Sequence, residues 1–130
     1  MKKSIYTPNA PAPIGPYSQA IATDCLLFCS GQIPVDPVTG AVVGTDVAAQ
    51  TEQVMKNIGA LLAAAGKDYS DVVKTTCFLT TMNDFAAFNA VYAKYFGNYG
   101  DSGITPPARS TVAVAGLPKN VLVEVEVVAK

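Results

Sequence analysis

Histidine is absent from all 130 residues. That absence removes Ser-His-Asp and Cys-His nucleophilic catalysis, the common zinc sites and imidazole acid–base work together. Chemistry in this chain is left to carboxylates, tyrosine, cysteine, lysine, hydroxyls, backbone groups and water. Charge is also scarce, at 15% of residues against about 25% in a typical domain. So little charge on a chain of this size predicts that part of its apolar surface is hidden in an oligomer. Basic runs are missing: nine Lys and Arg face ten Asp and Glu, for a net charge of −1 and a pI near 5.2. That balance argues against binding driven by nucleic-acid phosphates. No stretch approaches the roughly 20 apolar residues of a membrane span. Lys2 and Lys3 have no apolar core behind them, so no signal peptide is expected and the cytoplasm is the expected compartment. No Gly-rich dinucleotide fingerprint, P-loop or metal-ligand cluster stands out. The cysteine count is odd: Cys25, Cys29 and Cys77 lie in apolar runs and read as small buried hydrophobes.

What is present reads as a single domain over 1–130, since domains commonly run to about 100–200 residues. Residues 9–17 are rich in proline and glycine and predict a stiff, irregular segment holding Tyr17. Strands are predicted at Ser18–Ala22 and Cys25–Ile33, with Ser30-Gly31 interrupting the second. A glycine inside a strand often marks a bulge or a close approach. Pro34–Gly40 is turn chemistry, with one more short strand near Gly40–Val43. Apolar spacings of three and four predict a helix from Asp46, as N-cap, to Ala65, stopped by Gly66. Val72–Leu79 is a β-branched strand. A second helix begins near Thr81-Met82-Asn83-Asp84, carries an apolar stripe of Phe85, Phe88, Tyr92, Tyr95 and Phe96, and ends at Gly97. Strands follow at Arg109–Ala115 and Val121–Val128. The order β, β, α, β, α, β, β predicts an α+β fold, a mixed sheet with two helices packed on one face.

Five side chains stand out. Arg109 follows the stiff Thr105-Pro106-Pro107 approach, and its guanidinium offers a fixed fork for a carboxylate. Glu124 falls on the face of the last strand opposite Val121, Val123, Val125 and Val127. Asn89 lies within the aromatic stripe of the second helix, where an amide must find partners or cost about 1–3 kcal/mol. Tyr17 and Ser30 complete the set. Bland roles remain open for each: an interface aromatic for Tyr17, a backbone-satisfied strand residue for Ser30, a structural tie for Asn89, and an Arg109–Glu124 ion pair across neighbouring strands.

Seven blocks, in order and spanning the chain, resemble the Rid family, specifically the RidA-type enamine/imine deaminases. They are Asn9-Ala10-Pro11 with Ile14-Gly15-Pro16-Tyr17; Ser30-Gly31-Gln32-Ile33-Pro34; Asp46-Val47-Ala48-Ala49-Gln50; Val73-Lys74-Thr75-Thr76; Asn83-Asp84-Phe85 with Asn89; Pro107-Ala108-Arg109-Ser110; and Leu117-Pro118-Lys119 leading to Val123-Glu124-Val125-Glu126. The resemblance implies a chorismate-mutase-like fold, a barrel-like homotrimer and three sites in clefts between subunits. It implies substrates such as 2-aminoacrylate and 2-aminocrotonate, which tautomerise to 2-iminopropanoate and 2-iminobutanoate and hydrolyse to 2-oxo acids and ammonia without metal or cofactor.

By position, Arg109 corresponds to the carboxylate-binding arginine. Tyr17, Ser30, Gly31, Asn89 and Glu124 correspond to other pocket positions, with Tyr17 expected from the adjacent subunit. Glu124 would bind or polarise the attacking water or move a proton to the leaving amine, and beside an arginine it would stay ionised. Backbone groups near Ser30-Gly31 and Thr111 would fix water and substrate. Thr111 departs from the family, where cysteine is frequent, and the loop from Gly97 to Pro106 is longer than in many members. A non-catalytic 2-oxo-acid-binding or holdase-like protein using the same cleft is the alternative. A ribonuclease role is disfavoured by the acidic pI.

Overall fold

The computed structural model describes residues 1–130. In chain order its elements are strands β1 (Lys3–Ile5), β2 (Ala20–Ala22) and β3 (Leu27–Gln32), helix α1 (Val47–Ala64), strand β4 (Val72–Leu79), helix α2 (Phe85–Phe96), and strands β5 (Ala108–Ala113) and β6 (Val123–Ala129). The six strands form one sheet in the order β1-β2-β3-β6-β4-β5. Only β4 and β5 run parallel, bridged by α2; every other neighbouring pair is antiparallel. The α+β reading of the sequence is the observed architecture.

Period-two burial sets the faces of the sheet. β6 buries Val123, Val125, Val127 and Ala129 and turns Glu124 and Glu126 to the other side. Val54, Ile58, Leu61 and Leu62 of α1 and Phe88, Tyr92 and Phe96 of α2 pack with those valines in one cluster. Fully burying a Leu, Ile or Phe side chain contributes about 1.5–3 kcal/mol, so this face supplies the main cohesion. Asp46 caps α1, its carboxylate accepting from the Ala49 N–H at 2.8 Å. At the other end the Lys67 N–H reaches back to the Leu62 carbonyl at 2.9 Å, with Gly66 in the left-handed region at φ 72°, a common helix stop. Thr81 accepts from the Asn83 N–H and opens a single 3-10 turn that runs into α2. The two helices are tied by Glu52, which pairs with Lys94 and accepts from the Tyr95 hydroxyl.

The proline-rich segment is pinned by one buried amide. Gln19 accepts from the Thr7 N–H at 2.8 Å and donates to the carbonyls of Thr7, Ala10 and Pro11 at 3.0, 3.1 and 2.9 Å. Tyr17 lies within the segment so clamped, two residues before Gln19, and its hydroxyl accepts from the Ile14 N–H at 3.3 Å.

Several expected boundaries move. The strand predicted at Ser18–Ala22 is confined to β2, because pairing with both β1 and β3 spans only Ala20–Ala22. β1 had no expectation; three residues give no readable period, and pairing with β2 recruits them. The strand predicted from Cys25 begins at Leu27, after a turn in which Thr23 and Leu26 bond each other. Cys25 is therefore exposed, against the expectation of a buried hydrophobe, while Cys29 and Cys77 are buried. The extra strand near Gly40–Val43 reduces to an isolated Val35–Val42 bridge. The last two strands shift to Ala108–Ala113 and Val123–Ala129.

Candidate functional site

The strand register decides which candidates can meet. Thr75 of β4 pairs with Arg109, and Cys77 with Thr111. The same β4 residues pair with Val127 and Val125 of β6, whereas Phe78 pairs with Glu124 and Thr76 with Glu126. Arg109 and Thr111 thus share the helix-covered face with the valines, and Glu124 lies on the opposite face. β4 also separates β5 from β6. An Arg109–Glu124 ion pair across neighbouring strands is excluded within one chain, and so is an arginine beside Glu124 to keep it ionised.

On the helix face, Arg109 is half-buried at the outer strand. Its Nη1 donates to Asn89 Oδ1 at 2.8 Å. Its Cζ lies 4.7, 5.4 and 5.9 Å from the ring centres of Tyr92, Phe85 and Phe88, within the roughly 6 Å range of cation–π attraction. Asn89 sits on the same helix stripe as those rings, which is why an amide occurs there. No carboxylate pairs with Arg109: the ion pairs of the chain are Lys94–Glu52 and the N-terminus with Asp24. A cleft of about 310 Å³ opens in front of it, walled by Asn89, Tyr92, Tyr99, Pro106 and Pro107. The Thr111 hydroxyl is buried without a hydrogen-bond partner. Its register neighbour Cys77 has its thiol pushed up by burial, with the Thr75 hydroxyl and then the nearby Arg109 charge opposing part of that shift. A thiol so placed stays protonated and unreactive at neutral pH.

The other face gathers Ser30, Gly31 and Glu124, and Tyr17 meets Gly31 at the wall of an adjoining cavity. The Ser30 hydroxyl donates to the Ser18 carbonyl at 2.6 Å, so its bland reading as a backbone-satisfied residue describes its bonding in the chain. Gly31 lies where β3 shifts register against β6, between Cys29 and Gln32. A Cβ at Gly31 would overlap the Glu124 carboxylate. The close approach that this glycine signalled is that carboxylate. Burial and then the like charge of Glu126 raise the Glu124 carboxyl above its ordinary value, in contrast to the expectation of a firmly ionised group. Tyr17 and Gly31 also line a cavity of about 320 Å³ with Ile14, Ile33 and Lys119. Lys119 and Asn120 hold left-handed backbone at φ 56° and 55° in the turn that delivers β6. No three of the Cys, Asp and Glu side chains converge into a metal site.

The structure therefore brings the candidates together as two groups. Arg109, Asn89 and Thr111 lie on one face, and Ser30, Gly31 and Glu124 on the other, with Tyr17 beside Gly31. Phe85, Phe88 and Tyr92 had read only as core; their position around the guanidinium follows from Asn89 standing four residues after Phe85 and three before Tyr92.

Residues 7–130 match the endoribonuclease L-PSP family, and the chain belongs to that family. It is 54% identical over 129 residues to a RutC family protein of Pyrococcus horikoshii, covering 99% of this chain and 98% of that one. It is 50% identical over 129 residues to the 2-iminobutanoate/2-iminopropanoate deaminase of Salmonella typhimurium, with the same coverage of 99% and 98%. The crystal structure of the Rid family protein YyfA from Yersinia pestis superposes with a TM-score of 0.92 at 50% identity, covering 99% of this chain and 98% of that one. The Rid resemblance read from the seven sequence blocks is thereby established. No helix of the chain is long and apolar enough to cross a membrane.

Proposed function

We propose that this chain is a deaminase that hydrolyses 2-imino acids such as 2-iminopropanoate and 2-iminobutanoate, with their enamine tautomers, to 2-oxo acids and ammonia. The observation that carries the reading is Arg109: a guanidinium without an acidic partner, steadied by Asn89 and three rings at an open cleft. Such a group is an anchor ready for a planar carboxylate. The deaminase relative of Salmonella typhimurium supports the chemistry.

The reaction asks little of a protein beyond placement. Water adds to the imine carbon, and the C=N electron pair moves to nitrogen. One proton passes from the added water to that nitrogen. The tetrahedral carbinolamine then passes its hydroxyl proton to the amine, and the C–N bond breaks to release ammonia as the C–O bond becomes C=O. Glu124 is the group to carry that proton. A carboxyl raised by burial both accepts and returns a proton more readily near neutral pH than an ordinary one. Backbone groups near Thr111 and at Ser30-Gly31 would hold substrate and water.

Arg109 and Glu124 face opposite sides of the sheet, so one chain cannot supply both to one substrate. A site using both therefore needs two copies, which fits the homotrimer that the Rid resemblance implies, with the Arg109 face of one copy meeting the Ser30, Gly31 and Glu124 face of the next, beside its Tyr17. Exposed apolar side chains on the open sheet face, Phe28, Val73 and Val112, favour such covering. The endoribonuclease in the family's description gains no support from nine basic against ten acidic residues and no histidine.

Arg109→Ala tests the reading. With 2-iminopropanoate generated in situ from serine by a pyridoxal-phosphate lyase, kcat/KM for ammonia release is expected to fall by about 100-fold or more, with the oligomer intact. Full activity in that variant overturns the assignment.

A further inference from the structure

We propose that Tyr92 and Thr75 are positioning residues for the carboxylate anchor, a buried hydroxyl pair that sets the place of Arg109; this rests on Arg109 acting as that anchor. Thr75 is fully buried and stands directly beside Arg109 in the β4–β5 register. Its Oγ1 shares a hydrogen bond of 2.8 Å with the Tyr92 hydroxyl. Tyr92 in turn presents the ring nearest the guanidinium, at 4.7 Å, and belongs to the same helix as Asn89, the guanidinium's hydrogen-bond partner. One bond thus ties α2 to β4 at the level where α2 grips Arg109.

Packing alone does not call for these hydroxyls. The Tyr92 ring is already held by Phe88 and Phe96, at 5.6 and 4.6 Å between centres, and a Phe–Val pair would fill the same space. Burying two hydroxyls is costly unless they bond each other. Their presence adds direction: the bond fixes how far and at what tilt the ring meets the cation, on which cation–π attraction depends. The pair also leaves the cation unneutralised. Burial pushes the Tyr92 hydroxyl up to about 12, so it remains a neutral phenol that never competes with a substrate carboxylate for Arg109.

The test uses the full-length protein in Tyr92→Phe, Thr75→Val, Thr75→Ser and Arg109→Ala forms. It reads KM and kcat for 2-iminopropanoate, and Kd for 2-oxobutanoate by calorimetry as a carboxylate that is not turned over. Tyr92→Phe and Thr75→Val are expected to raise KM and Kd in parallel by about fivefold with kcat little changed. Thr75→Ser, which keeps the hydroxyl, is expected to restore both. Thermal unfolding identifies any variant that fails to fold; Tyr92→Phe preserves the ring packing and is the decisive one. Unchanged KM and Kd in Tyr92→Phe, or a fall in kcat with KM unchanged, overturns the positioning role. If Arg109→Ala weakens 2-oxobutanoate while Tyr92→Phe does not, only this inference fails. If Arg109→Ala also leaves binding intact, the anchor reading falls with it.

Discussion

Glu124 and Gly31 form the tightest coupling between a backbone choice and a reactive side chain. Any side chain at position 31 would occupy the space of the Glu124 carboxylate. The obstacle is the far end of a flexible side chain rather than backbone, so Gly31→Ala should fold and cost little stability while turning Glu124 away. Its kcat is expected to fall about as far as that of Glu124→Gln. The double variant should be no worse than Glu124→Gln alone, because the two act through one group. Losses that multiply in the double variant would show that Gly31 has a separate role. The sequence exposed half of this relation. A glycine breaking an apolar strand announced a close approach, but the approaching group comes from β6, 93 residues along the chain from Gly31 to Glu124. Asn89 was legible in the same partial way: an amide on an aromatic stripe must have a partner, yet nothing local names Arg109. Thr75 stood out only as part of the Val73-Lys74-Thr75-Thr76 block, with nothing to mark its role, because that role lies in a strand register that single-sequence patterns do not contain.

At the scale of elements, long periodic segments were readable and short or clamped ones were not. Both helices lie close to their expected bounds because caps, glycine stops and apolar spacing agree with one another. The first strand and the true start of β3 depend on pairing and on a local turn, which composition does not encode. The segment before β2 shows how much one residue can decide. The Gln19 side chain pins that segment with four bonds to Thr7, Ala10 and Pro11, while its own carbonyl still accepts from the Ser30 N–H of β3. Gln19→Ala leaves the Thr7 N–H without that partner, and a buried group so left costs about 1–3 kcal/mol. Hydrogen exchange should then rise across residues 5–18, with much smaller change in α1 and β6. Deaminase activity should drop with it, since Tyr17 loses its support. Unaltered protection in that segment would remove Gln19 from its clamping role.

At the scale of the molecule, the sheet itself is the argument for assembly. Arg109 shares a face with Thr75 and Val127, and Glu124 shares the other with Phe78, because the β4 register fixes both. A substrate that touches both side chains must lie between two copies. This gives a sharp test by mixing. Arg109→Ala and Glu124→Gln are each expected to be nearly inactive as homotrimers. When the two variants are unfolded, mixed in equal amounts and refolded together, each site of the proposed trimer would draw its arginine from one copy and its glutamate from the next. Random assortment then makes about a quarter of sites intact in both residues, since each of the two copies must be of the right kind. Activity should return to about that fraction of the parent, measured as ammonia released from 2-iminopropanoate. Sites built from one copy would gain nothing by mixing, because no chain in the mixture carries both residues. Recovery near a quarter would therefore tie the proposed deaminase chemistry to the interface, and no recovery from well-mixed oligomers would overturn the division of labour between the two faces.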